Sequence, residues 1–221
     1  MNDSQAVPIK IIMVGSINVG KTSLVTKYAT GKIPGKKEST KNASFVNKMK
    51  TINGIKFEIK LWDTAGQEKY KSLTKLFIKD AKIAILVYSI DNEESFKDLD
   101  EWLKLIKGVN DKDNIIYGVL ANKSDLESEN TLCDEKGKEY AKKIGAMWRK
   151  TSAVTDGIGI ENYIDDLFLK YHNSNFNLNN SNTESITLST ENSKIEKKGC
   201  CGEGKTNNNK NVKKKIKILR C

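Results

Sequence analysis

The stretch Gly15-Ser16-Ile17-Asn18-Val19-Gly20-Lys21-Thr22 constrains this chain more than any other. It follows an apolar run at residues 9–14 and opens a helical stretch at residues 21–30. A strand, a glycine-bounded loop and a helix start ending the loop in Lys-Thr form a phosphate cradle. The loop N–H groups and the helix N-terminus face an anion. Lys21 then reaches the β- and γ-phosphates, and the Thr22 hydroxyl is a ligand for Mg²⁺. Gly15 and Gly20 supply the backbone freedom of such a loop. Asn18, Val19 and Ser23 complete the expected phosphate-binding set.

Elements on either side predict an α/β domain. Residues 44–52 and 55–62 read as strands joined by Asn53-Gly54, a strong hairpin signal. Phe57, Ile59 and Leu61 alternate with Lys56, Glu58 and Lys60, so one face of that hairpin is buried. Residues 82–88 and 115–121 are buried-strand runs, and 147–148 is a short strand. Helices are expected at 93–107, 134–144 and 160–171, the first with Phe96, Leu99, Trp102, Leu103 and Ile106 on one face. Strands alternating with helices give a six-stranded, mostly parallel sheet with one antiparallel hairpin strand and helices on both faces.

A composition break follows. We expect a nucleotide-binding domain at 1–172, an Asn/Ser-rich flexible linker at 173–193 and a basic tail at 194–221. The chain carries +10 overall, yet the tail holds ten Lys/Arg against two Glu, which leaves a net charge of +2 elsewhere. Nucleic-acid binders carry their charge on folded elements interleaved with aromatics, and this tail has no aromatic residue. An anionic membrane surface is the better match, with about 1 kcal/mol from each basic residue near it; a merely solvated tail is the alternative. The four cysteines, Cys133, Cys200, Cys201 and Cys221, have neither zinc nor disulfide spacing. With no signal-peptide pattern and no spanning run, a cytoplasmic monomer is expected. His172 receives no role.

Three further segments name the base. Asp63-Thr64-Ala65-Gly66-Gln67 closes the third strand: Asp63 for Mg²⁺, Gly66 for the γ-phosphate and Gln67 to orient the attacking water. Asn122-Lys123-Ser124-Asp125 closes the fifth. A carboxylate there accepts from guanine N1 and N2 and rejects adenine. Thr151-Ser152-Ala153 follows the sixth, where the Ala153 N–H can meet guanine O6. Ligand groups at carboxyl ends of strands are the rule for open α/β sheets. A P-loop ATPase or small-molecule kinase is disfavoured by the Asn-Lys-x-Asp segment and by the absence of a substrate lid.

Over residues 7–171 the chain resembles the Ras-superfamily small GTPases, and within them the Rab family. The segments Trp62 to Tyr70 and Ala84 to Tyr88 carry that resemblance, and both Asn92-Glu93-Glu94-Ser95-Phe96 and Glu38-Ser39-Thr40 through Phe45 look most like the endosomal Rabs. The resemblance implies a GTP/GDP switch with bound Mg²⁺, hydrolysing GTP slowly until an activating protein engages it. It implies exchange factors and effectors as partners, and cycling between cytoplasm and the cytosolic face of endosomal or other vesicle membranes. Catalysis then falls to Gln67 and Lys21, and the metal to Thr22, Thr40 and Asp63. Guanine falls to Asn122, Lys123, Asp125, Ser152, Ala153 and Val154. Phe45, Trp62 and Phe77 match the aromatic positions on which effectors dock, although ordinary core packing explains the trio equally well. Loss of the γ-phosphate would release two switch segments, 33–45 and 66–77.

Departures from the family pattern carry expectations of their own. Ile17 stands where the family has a small residue and would crowd Gln67 and an arginine finger, which contributes about 10³ to 10⁵ in rate. Ile33 replaces an aromatic over the guanine, and Val154 replaces a lysine whose stem packs on the base. Together these losses weaken stacking by about 1–3 kcal/mol, so faster nucleotide exchange is expected. Lys41-Asn42 replaces an apolar-Gly pair. Cys200-Cys201 is followed by twenty more residues and the chain ends at Cys221; neither arrangement fits the C-a-a-X pattern. All three are lipidation candidates, and one lipid chain beside a polybasic patch anchors reversibly. A GTP-bound docking scaffold with little hydrolysis is the rival reading, favoured by Ile17.

Overall fold

Alternation along the first strand sets up the whole architecture. In the computed structural model β1 is Val7–Val14. Ile9, Ile11 and Met13 enter one apolar core, while Ile12 and Val14 enter another on the opposite face. A strand buried on both sides belongs to the middle of a helix-covered parallel sheet. The structure describes residues 6–32, 44–64, 71–110, 115–156 and 159–181. The fold below is that of the unit Met1–Leu178; of the second unit, Asn179–Cys221, only the end of the last helix is described.

Six strands form one sheet in the order β2-β3-β1-β4-β5-β6. They are β1, β2 (Ser44–Ile52), β3 (Ile55–Asp63), β4 (Ile83–Ser89), β5 (Ile116–Asn122) and β6 (Met147–Lys150). Only the β2–β3 pair is antiparallel. Its turn is the expected one: Asn53 has φ 48° and Gly54 φ 81°, both positive as a type I′ turn requires. Phe57, Ile59 and Leu61 are buried as the alternation predicts, with Lys56, Glu58 and Lys60 on the more open face.

Helices cover both faces. α1 (Lys21–Thr30) and α6 (Gly159–Ser181) pack Leu24, Val25, Tyr28, Tyr163, Leu167 and Phe168 into the first core. The second core receives α2 (Lys71–Ile78) through Ile78 and α5 (Asp134–Lys143) through Ala141. It also takes Leu99, Trp102, Leu103 and Ile106 of α4 (Leu99–Val109). The α/β sheet with helices on both faces therefore stands.

Three elements differ from expectation. The helix expected at 93–107 is divided into α3 (Glu93–Lys97) and α4 at Asp98. There the turn tightens: the Asp98 carbonyl accepts from both Glu101 and Trp102, and its carboxylate accepts from Ser16 Oγ at 2.5 Å. α6 continues past Tyr171 to Ser181, because neither proline nor glycine interrupts that stretch and an established helix propagates easily. α2 has no counterpart among the expected helices, since eight residues are too short for periodicity to declare itself.

Candidate nucleotide-binding site

Parallel pairing of β1 with β3 and β4, and of β5 with β4 and β6, brings five carboxyl ends to one edge. Every described site residue leaves the sheet there or just after it. From β1 the chain enters the loop at Gly15, with φ 145°, and leaves it at Gly20, with φ 95°. Both angles lie where glycine is favoured. A Cβ on Gly15 would lie 2.1 Å from the Val87 carbonyl oxygen, and one on Gly20 2.3 Å from Asn122 Nδ2. The loop is thus pressed against the ends of β4 and β5 with no room for a side chain at either glycine. Asn18 sits in the left-handed region, φ 62°.

Lys21 is folded back under this loop, its ammonium donating to Gly15 O at 2.8 Å and Ser16 O at 2.9 Å. It is 5 % exposed. Burial pushes the ammonium down to about 8 from 10.5, opposed by the nearby Asp63 carboxylate. A desolvated cation ringed by backbone dipoles at a helix N-terminus is built for an anion. Next in sequence, Thr22 Oγ1 donates to Asp63 Oδ2 at 2.6 Å. That contact joins the start of α1 to the end of β3. Thr64 secures this end of β3 by donating its hydroxyl to Met13 O at 2.7 Å.

The loops after β5 and β6 gather the residues expected to meet guanine. Asn122 Nδ2 donates to Val19 O at 2.7 Å, so β5 grips the phosphate loop directly. Its Oδ1 is buried and has no hydrogen-bond partner among the described residues. Lys123 takes up the left-handed conformation, φ 65°. The Ser152 hydroxyl donates to the Asp125 carboxylate and accepts from the N–H groups of Val154 and Thr155, both at 3.1 Å. Thr151 N–H donates to Ala121 O at 2.8 Å and Ser124 N–H to Thr151 O at 3.1 Å, which stitches the two loops together. Ala153 is buried, while Val154 is half exposed.

The structure therefore gathers Gly15, Asn18, Val19, Gly20, Lys21, Thr22, Ser23, Asp63, Asn122, Lys123, Asp125, Ser152, Ala153 and Val154 along one edge of the sheet. Thr40, Gly66, Gln67, Ile33, Lys41, Asn42, Cys200, Cys201 and Cys221 lie outside the described residues. Phe45, Trp62 and Phe77 do come together. The Trp62 ring centroid lies 4.9 Å from that of Phe45 and 5.3 Å from that of Phe77, the pairs tilted by 32° and 31°. Phe45 is 53 % exposed, while Trp62 is partly buried and packs against the second core, so the trio runs from that core to the surface. Sequence reasoning missed Asp98 and Asp91. Asp98 holds Ser16 in the phosphate loop, and Asp91 faces Lys123. The β4–β5 register was the signal for Asp91, and it is visible only once the strands are paired.

Residues 10–173 match the model of the Ras family. This chain belongs to that family, in its Rab branch. It is 39 % identical over 147 residues to Ras-related protein Rab-21 of Geodia cydonium, covering 66 % of this chain and 64 % of that protein. It is 36 % identical over 163 residues to human Rab-21, 74 % of this chain and 72 % of that one. Dictyostelium discoideum RabJ is 36 % identical over 171 residues, 76 % of this chain and 66 % of that one. Membership brings with it the general activity of a guanine-nucleotide switch in vesicle traffic. It also brings bound GTP or GDP with Mg²⁺, and exchange factors, activating proteins and effectors as partner classes. Among the described residues no helix is long and apolar enough to cross a membrane.

Proposed function

We propose that this Rab is a GTP-hydrolysing switch of endosomal or other vesicle membranes, slow by itself and dependent on an activating protein. The observation that carries the reading is the meeting of a buried lysine, a Thr22–Asp63 oxygen pair and the Asn122/Asp125/Ser152 set on one sheet edge. Lys21 and the loop N–H groups bind the phosphates, and Asn18, Val19 and Ser23 shape the cradle around them. Thr22 and Asp63 offer the all-oxygen donor chemistry that suits Mg²⁺, and Thr40 is assigned to complete the set. The metal would neutralise charge on the phosphate oxygens. Gln67 orients a water, which adds to the γ-phosphorus as the bond to the β–γ bridging oxygen breaks, leaving GDP and phosphate. The Gly66 N–H holds a γ-oxygen. Asp125 takes guanine N1 and N2, and the Ala153 N–H takes O6.

Release of the γ-phosphate frees segments 33–45 and 66–77, and effectors read the difference at Phe45, Trp62 and Phe77. The exposed Phe45 ring, in contact with Trp62 and through it with Phe77, supports docking at this cluster. We assign residues 1–172 to the nucleotide domain, 173–193 to a linker and 194–221 to a lipidated polybasic membrane tail, with Cys200, Cys201 and Cys221 as candidate attachment points.

One observation favours a GTP-bound docking scaffold instead: Ile17 stands 41 % exposed on the phosphate loop, where a branched side chain would obstruct Gln67 and an incoming arginine. Single-turnover hydrolysis of bound GTP by the full chain separates the two. A switch turns over slowly and loses that turnover on Gln67→Leu. A scaffold shows none in either protein.

A further inference from the structure

The parallel register of β4 and β5 continues beyond the strand ends. Ser89 pairs with Asn122, and the Ile90 N–H donates to Asn122 O at 3.1 Å. Asp91 is thereby set beside Lys123. Its two carboxylate oxygens lie 3.5 and 3.4 Å from the Lys123 ammonium. The Ser89 hydroxyl donates to the same carboxylate, so Asp91 is held from β4 before it meets the lysine.

Lys123 is equally constrained at its other end. Its left-handed backbone, φ 65°, is one that a residue with a side chain adopts only where the surroundings enforce it. The Lys123 carbonyl accepts from Leu126 N–H at 2.9 Å, and the Ser124 N–H is tied to Thr151 O. The backbone fixes where the lysine stem begins, and Asp91 fixes where it ends.

That matters because, among the described residues of the proposed guanine side, little else could cover a ring. Among Asn122, Lys123, Asp125, Ser152, Ala153 and Val154, only Lys123 has a long apolar stem, and Val154 is short and half exposed. A lysine held at its head lays its methylenes along apolar surface. We infer that Asp91 is a positioning residue, anchoring the Lys123 ammonium so that the stem lies extended across one face of the purine. This rests on the guanine site proposed above. A partly exposed ion pair contributes little to fold stability, so its effect belongs in ligand retention.

The test is release of a fluorescent (methylanthraniloyl) GDP from the full chain. Asp91→Asn and Asp91→Ala speed release about three- to ten-fold, and Asp91→Glu restores most of the wild-type rate. In a Lys123→Met background, which keeps a stem but has no charge to anchor, Asp91→Asn changes nothing further. Wild-type release from Asp91→Asn overturns the inference alone. Equal acceleration with and without the Lys123 ammonium also overturns it, because the effect is then a disturbed turn at Ser89. A wild-type chain that fails to bind the probe overturns the guanine site and this inference together.

Discussion

The Ser152 hydroxyl donates to the Asp125 carboxylate across twenty-seven residues of chain, joining the exit of β5 to the exit of β6. The same oxygen accepts from Val154 and Thr155, so one hydroxyl holds the carboxylate proposed to read the base and shapes the loop that carries Ala153. Two segments that each carry little information in sequence are joined into one unit through that contact.

Ser152→Ala should therefore weaken guanine recognition without unfolding the domain. Loss of a hydrogen bond to a charged group costs about 1.5–3 kcal/mol, so GDP affinity falls at least about ten-fold. Discrimination against inosine diphosphate, which lacks the N2 amine, falls with it, because a loosened Asp125 no longer rewards both donors. Competition between the two nucleotides measures this. An unchanged GDP-to-IDP preference would show that Asp125 holds its position without Ser152.

Nucleotide binding should take up a proton at alkaline pH. Burial sets Lys21 at about 8, below its ordinary 10.5. Between these values the folded chain binds fewer protons than the unfolded one, so this group makes stability rise with pH across that window. Phosphate beside the ammonium favours the charged form. Binding at pH 9 then draws in up to about one proton, binding at pH 7 draws in almost none, and affinity declines as pH climbs past 8. Calorimetry in buffers of different ionisation heat reads the uptake directly. Lys21→Arg, charged throughout, abolishes it if the cause is this lysine.

Much of this was legible in sequence for identifiable reasons. The phosphate loop declares itself because glycine is needed at two positions where a Cβ would collide with Val87 and Asn122. The hairpin declares itself because Asn53 and Gly54 are residues that tolerate positive φ. Asn122, Asp125 and Ser152 could be named, yet the grip of Asn122 on Val19 O could not, since it depends on two strands lying side by side. Asp91 and Asp98 were invisible for the same reason: acidic residues at element ends read as solvated until pairing shows what each faces. The end of α2 is another case. Asn110 donates to Ile78 O at 3.1 Å and accepts from Asp80 N–H at 3.2 Å, a clamp between helices that no local pattern announces.

Phe45→Ala should separate effector recognition from nucleotide handling. Phe45 is half exposed and touches Trp62 on the open face of β2 and β3. Removing it sacrifices only partial burial, so stability falls by about 1 kcal/mol or less. A docking residue of this kind costs a partner at least about 2 kcal/mol, a loss of roughly thirty-fold in affinity. GDP release stays at the wild-type rate. Thermal melting alongside effector pull-down titration distinguishes the outcomes, and a large melting shift with unchanged effector affinity would return the trio to core packing.

Gly118→Ala should be among the most damaging small substitutions away from the nucleotide. A Cβ there would lie 2.4 Å from the Tyr163 hydroxyl and 3.1 Å from Leu167 Cδ1. Tyr163 cannot simply withdraw, because it is buried where α6 meets the sheet and its one hydroxyl proton is shared between Met147 O at 2.8 Å and Val119 O at 3.3 Å. Overpacking of this type costs about 1–3 kcal/mol. Tyr163→Phe alone costs about 1 kcal/mol through the lost hydrogen bonds. In the double variant the colliding oxygen is gone, so the two losses add to less than their sum. Urea unfolding of the four proteins checks the cycle. Strict additivity would mean that α6 shifts away as a body and that Tyr163 does not set the spacing between helix and sheet.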